Sequence, residues 1–199
     1  MRNPISPVPA LLVATLAAAA CTGSVLAATH PVGAATFILK RSDVPASFNA
    51  KTDYVRPVSF ADALTRYSVK AATLTKKGLV NGYESGFTRR YNGKSTAPGF
   101  YGVADNVTQF KSTSGAHWFF QHMKRAGYGT LSTAVPSIGD EVVAIHTGTE
   151  HGSRIADITF RHGDFVVSVS TSYIGKSDPL PKAVHFAKLI DHRLTAHSE

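Results

Sequence analysis

Two runs of alternating apolar and polar residues, Ile155 to Arg161 and Asp164 to Tyr173, flank His162-Gly163. A two-residue connection between extended segments is a β-hairpin, and the turn sets its register. With His162 and Gly163 at the tip, Arg161 faces Asp164, Phe160 faces Phe165, Ile158 faces Val167 and Ala156 faces Val169. The last three pairs lie on one side. Asp157, Thr159, Arg161, Ser168, Ser170 and Ser172 lie on the other. The register demanded by the turn therefore yields an apolar face and a polar face together, and this agreement constrains the fold more than any other segment does.

The remaining chain reads as elements that complete such a sheet. Phe37 to Lys40 reads as a first extended segment, with a turn over Asp43-Val44-Pro45-Ala46-Ser47-Phe48. Ser59 and Asp62 form a capping-box variant, and Phe60, Leu64, Tyr67, Ala71 and Leu74 recur at helical spacing up to Lys76-Lys77-Gly78. Tyr83, Ser85, Phe87, Arg89 and Tyr91 share one face of a strand. A turn over Asn92 to Gly99 leads into an antiparallel strand from Phe100 to Phe110. Ser114 opens a second helix that ends at Lys124, Arg125 and Gly127. Val142 to His146 reads as a strand and Thr147 to Ser153 as polar loop. After the hairpin, Asp178 caps a last helix with Pro179 in its first turn. The expectation is an α+β domain: a largely antiparallel sheet of about five or six strands, with three helices packed on one face.

The N-terminus directs the chain elsewhere than the cytosol. Arg2, an apolar run from Ala10 to Ala20 and small residues behind it have the form of a secretory leader, too short to span a bilayer as a helix. Ala18-Ala19-Ala20-Cys21 has the form of a lipobox, in which Cys21 takes a lipid anchor and becomes the mature N-terminus. Val25-Leu26-Ala27 offers ordinary cleavage instead, which gives a secreted protein. The expected division is a signal peptide over 1–21, a flexible tether over 22–35 and a single domain over 36–199. Cys21 is the only cysteine, so the domain has no internal disulfide and depends on an ordinary hydrophobic core.

Four segments carry a resemblance: Asp43 to Phe48, Gly78-Leu79-Val80-Asn81-Gly82-Tyr83, Ile138-Gly139-Asp140-Glu141, and the final hairpin with its helix. Through them the chain resembles small exported bacterial lipoprotein-type α+β domains and, more distantly, the extracellular sensor domains of PknH-type receptor kinases. The resemblance implies an extracytoplasmic module with a ligand cleft and supplies no catalytic residues. The chain departs from the kinase sensor domains in lacking their paired cysteines.

The chemistry-bearing residues point to binding rather than turnover. There is no Gly-x-Ser-x-Gly elbow, His-Glu-x-x-His, phosphate loop or dinucleotide fingerprint. His185 and His192, seven apart on a helix, are separated by about 10.5 Å, too far to share one zinc. His117 and His122 point apart. No metal site, cofactor or nucleic-acid partner is expected. The first expectation is a non-catalytic, sensor-like ligand- or partner-binding domain on the outer face of the cell membrane. Its candidate surface is Thr159, Arg161, Ser168, Ser170 and Ser172, joined by Arg89 and Arg90. A second is an exported hydrolase or wall-modifying enzyme using His146 or His151 with Asp140 or Glu141. A third is a basic adhesion module for acidic envelope polymers. The formal charge is +8, or +7 once Arg2 leaves with the leader, and such attraction is nonspecific and weakens with salt.

Overall fold

The computed structural model of the protein describes residues 33–48, 53–58, 69–89, 98–126, 129–132, 135–150 and 153–198. The leader, Cys21 and most of the tether lie outside them, as do Ser59 to Ser68, where the first helix was expected to begin. The described elements are strands β1 (Tyr54–Pro57), β2 (Leu79–Thr88), β3 (Gly99–Phe110), β4 (Thr130–Ser132), β5 (Glu141–Glu150), β6 (Ser153–His162) and β7 (Phe165–Ile174), with helices α1 (Ala71–Lys76), α2 (Thr113–Ala126) and α3 (Leu180–Ser198). All strands join one antiparallel sheet in the order β1-β2-β3-β7-β6-β5-β4.

The expectation of five or six strands is corrected to seven. The additions are edge strands, β1 and β4, too short and too exposed to leave a periodic trace in the sequence. Phe37 to Lys40 is not a strand. It links a 3-10 turn at Ala34–Thr36 to another at Arg41–Asp43, and Phe37, Ile38 and Leu39 are all buried in succession. The expected loop from Thr147 to Ser153 is largely ladder: β5 runs on to Glu150, which pairs with Ser153 across a register shift.

The hairpin is present, with its turn one position further along. Gly163 and Asp164 form the tip, with Gly163 at φ 57°, and His162 pairs with Phe165. Phe160 therefore faces Val167, Ile158 faces Val169 and Ala156 faces Thr171. The glycine takes the first central position, where a tight hairpin needs positive φ. Moving the turn by one residue displaces each partner by two, so every side chain stays on its expected face.

The helices do not share a face. Val167 and Ala144 pack with Leu180, Ala183, Phe186, Ala187, Ile190 and Leu194 of α3, beneath Phe37, Ile38 and Leu39. Val166, Val143 and Ile145, their immediate strand neighbours, pack instead with Ala116, Phe119 and Phe120 of α2 and Leu74 of α1. Adjacent strand residues point to opposite sides, so the sheet is covered by α3 on one face and by α2 and α1 on part of the other. Val143, Ile145 and Val166 are apolar residues on the polar face, and they form the seat for α2.

Helix limits follow local chemistry. Ser112 Oγ accepts from Gly115 N at 3.2 Å at the start of α2, and Asp178 Oδ1 accepts from Leu180 N at 2.9 Å at the start of α3. Lys77 closes α1 and Gly78, at φ 81°, takes the left-handed position after it.

Candidate functional site

The α2 face can be read row by row from the strand registers. One row runs Arg56, Glu84, Asn106, Ser168, Thr159, Val143, and the next runs Tyr54, Gly86, Ala104, Ser170, Asp157, Ile145. A third runs Thr88, Gly102, Ser172, Ile155. Four of the expected binding residues, Thr159, Ser168, Ser170 and Ser172, are thus brought together on the central strands, each half-buried. Thr159 Oγ1 and Ser168 Oγ share a hydrogen bond at 3.0 Å, and Ser172 Oγ reaches the Gly102 carbonyl at 3.4 Å. Beside them on β3, Gly102 and Ala104 carry little or no side chain. A Cβ on Gly86 would collide with the Tyr54 ring, which lies over that glycine.

Arg161 belongs to the same face, where its guanidinium is held by three acceptors. Its Nε donates to Glu141 Oε1 at 2.6 Å, and its Nη1 donates to Asp140 Oδ2 at 2.7 Å and the Gly163 carbonyl at 3.0 Å. From α2, His117 Nδ1 hydrogen-bonds Glu141 Oε1 at 2.7 Å and Gln121 Nε2 donates to Glu141 Oε2 at 3.0 Å. Burial works to raise the Glu141 pKa, but the hydrogen bonds from Arg161 and His117 outweigh it and hold the carboxyl below its ordinary value. Arg161 thereby ties the hairpin tip, the Asp140 turn and α2 into one unit. Arg89 follows β2, where its N–H donates to the Tyr101 carbonyl and its guanidinium reaches the Pro98 carbonyl at 3.5 Å. Arg90 lies outside the described residues.

The residues of the hydrolase expectation are not assembled. Glu141 and His146 sit five apart on β5 and face opposite sides of the sheet. His146 Nδ1 lies 3.8 Å from Asp178 Oδ1 on the α3 side, while Asp140 is held by Arg161. His151 lies outside the described residues. Among the described residues no three His, Cys, Asp or Glu side chains gather as metal ligands, and no helix is long and apolar enough to cross a membrane.

Two polar features of the sheet interior escaped the sequence reading. Glu84, 2% exposed, accepts from Arg56 Nε at 2.6 Å. Asn106 is buried on the α2 face; its Oδ1 accepts from Thr108 Oγ1 at 2.7 Å while its Nδ2 has no partner. Strand alternation across Phe100 to Phe110 puts Ala104, Asn106 and Thr108 on the polar side. On the opposite face, Asp105 accepts from Ser85 Oγ and from Leu39 N, while Arg193 joins the Ile38 carbonyl to Asp43.

No family model matches the chain, and no curated protein does. Among solved structures, the extracellular domain of PknH from Mycobacterium tuberculosis superposes with a TM-score of 0.53 at 12% identity, covering 84% of this chain and 98% of that one. At that identity the likeness is one of fold, and it bears out the distant resemblance to the extracellular domains of PknH-type kinases. The chain has the fold of the PknH extracellular domain, without the sequence identity that would place it in a named family.

Proposed function

We propose that the protein is an exported, non-catalytic, sensor-like binding domain whose ligand or partner is received on the polar α2 face. The observation that carries this reading is the convergence of Thr159, Ser168, Ser170 and Ser172, half-buried, beside Gly102 and Ala104 of β3, which carry little or no side chain. The fold likeness to an extracellular domain supports the location. Rows of hydroxyls on a rigid sheet are pre-organised to hydrogen-bond a ligand at little conformational cost. Arg161 frames this surface without entering it, because its guanidinium is engaged by Asp140 and Glu141. Cys21 is the lipid attachment point, which makes the membrane the first partner. The excess positive charge adds a nonspecific attraction to anionic polymers around it.

Two experiments test the proposal. Intact-mass analysis of the native protein is expected to give an N-terminus at Cys21 carrying lipid; a mature chain starting after Ala27, or one retaining Met1, overturns the anchor. Ser170→Val in the full chain should abolish retention of an envelope extract's bound component and leave the melting temperature unchanged. Undiminished retention removes this face as the site.

A further inference from the structure

The outer side of α1 and α2 carries the chain's most one-sided charge. Residues 63–83 and 106–139 contain no Asp or Glu. Their described part carries Lys70, Lys76, Lys77, Lys111, Lys124 and Arg125. Among the described residues none of these six is in an ion pair, whereas Arg41, Arg56, Arg161 and Arg193 each are. All but Lys77 are exposed, so an anion reaches them directly and finds their charge uncompensated.

The fold gathers these cations around one indole. The Lys77 carbonyl lies against Gly115 in the first turns of α2, and Lys111 N donates to the Gly78 carbonyl at 2.8 Å, which brings the end of α1 to the start of α2. Lys77 Nζ lies 5.2 Å from the ring centroid of Trp118, itself half-buried. The His122 ring stacks on that indole at 5.6 Å, and Arg125 continues the same stripe of the helix. From Trp118 to Arg125 is about 10.5 Å along the axis. Two carboxylates border the helices. Asp164 accepts from Gln109 Nε2 at 3.4 Å, and the charge of Glu141 is offset by Arg161. The balance over α1 and α2 stays positive.

The indole decides which anion fits. An acidic polymer would satisfy the cations but has no apolar layer for Trp118, and an ammonium and an imidazole already lie against the ring where a sugar would have to stack. A phospholipid surface offers phosphates above and an apolar boundary below, the setting in which tryptophan among Lys and Arg on a helix face is stabilised.

We infer that the outer side of α1 and α2 docks on an anionic phospholipid bilayer, with Lys76, Lys77, Lys111 and Arg125 meeting headgroup phosphates and Trp118 settling at the boundary below them. This surface is separate from the serine rows of the sheet and does not depend on lipid attachment at Cys21.

The test uses the full chain and vesicles of phosphatidylcholine with or without phosphatidylglycerol. Trp118 is the only tryptophan, so its emission reports this face whatever the N-terminal residues do at the same vesicles. A blue shift is expected with phosphatidylglycerol and none with phosphatidylcholine alone, and added salt should reverse it. Lys76→Gln combined with Arg125→Gln should raise the phosphatidylglycerol needed for half the shift at least about tenfold, since each cation near an anionic surface contributes roughly a fivefold preference. Lys182→Gln combined with Lys188→Gln removes the same charge from exposed positions of α3, on the opposite face, and should leave the titration unchanged. No shift, an equal shift on neutral vesicles, or an equal loss in both double variants overturns the inference. Soluble polygalacturonate that displaces the vesicles and itself shifts Trp118 overturns the bilayer in favour of an acidic polymer. Any of these failures leaves the proposed sheet site standing, since that site is read by Ser170→Val.

Discussion

Among the described residues, Asp105 is the carboxyl whose pKa departs furthest from its ordinary value. It sits in the middle of β3, 3% exposed, and burial pushes its carboxyl up to about 7 against the hydrogen bonds from Ser85 and Leu39. A carboxyl whose folded pKa exceeds its unfolded value binds more protons when folded. Its contribution to stability is therefore full below about pH 4 and is lost as pH rises to about 7, by up to roughly 4 kcal/mol. Glu141 acts with the opposite sign, since its lowered pKa gives stability that disappears as pH falls through the acid range. Urea melts from pH 4 to pH 8 should show stability declining with pH, and Asp105→Asn should flatten that slope. A slope unchanged in the variant would place the titration elsewhere. Arg161→Ala is expected to cost about 1–3 kcal/mol, because it strands Glu141 against α2 and releases the Asp140 turn. Chemical denaturation measures this, and a loss of ligand binding without loss of stability would return Arg161 to the binding surface.

The elements depend on a few close approaches. Gly115 in the first turns of α2 lies against the Lys77 carbonyl at the end of α1, and a Cβ there would overlap that oxygen. Gly115→Ala should destabilise the protein by about 1–3 kcal/mol by forcing the two helices apart, and it should do so without touching α3. Asp178→Ala removes the cap of α3 and should cost about 1 kcal/mol, a fall of roughly 2–4 °C in melting temperature for a domain of this size. The two helices are held to opposite faces at the same end of the sheet by matching devices. His117 of α2 meets Glu141, and His162 at the hairpin meets Asp191 of α3, each at 2.7 Å.

At the scale of the whole molecule, the order β1-β2-β3-β7-β6-β5-β4 puts β7, late in the chain, at the centre. Its two long neighbours, β3 and β6, are covered by α3 and the Phe37 to Leu39 segment on one face and in part by α2 on the other. The margins are β1, exposed along its length, and the three-residue β4. Native-state hydrogen exchange should therefore be slowest in β3, β6 and β7 and fastest in β1 and β4. Equal protection across all seven strands would contradict a sheet organised around β7.

The hairpin, its two faces, the helix caps and the α+β class were all written in local sequence, since turn residues and period-two alternation act over a few positions. Even a turn misplaced by one residue left Ser168, Ser170 and Ser172 on the right side. What lay beyond sequence was which helix covers which face. Val143, Ile145 and Val166 look like ordinary strand residues, yet they place α2 on the side the serines occupy and give Arg161 its carboxylates. Only the folded chain brings Asn106 between Glu84 and Ser168, or Leu39 onto Asp105 across 66 positions. Such pairings depend on long-range strand order, and strand order is decided by how all the apolar surfaces are buried at once.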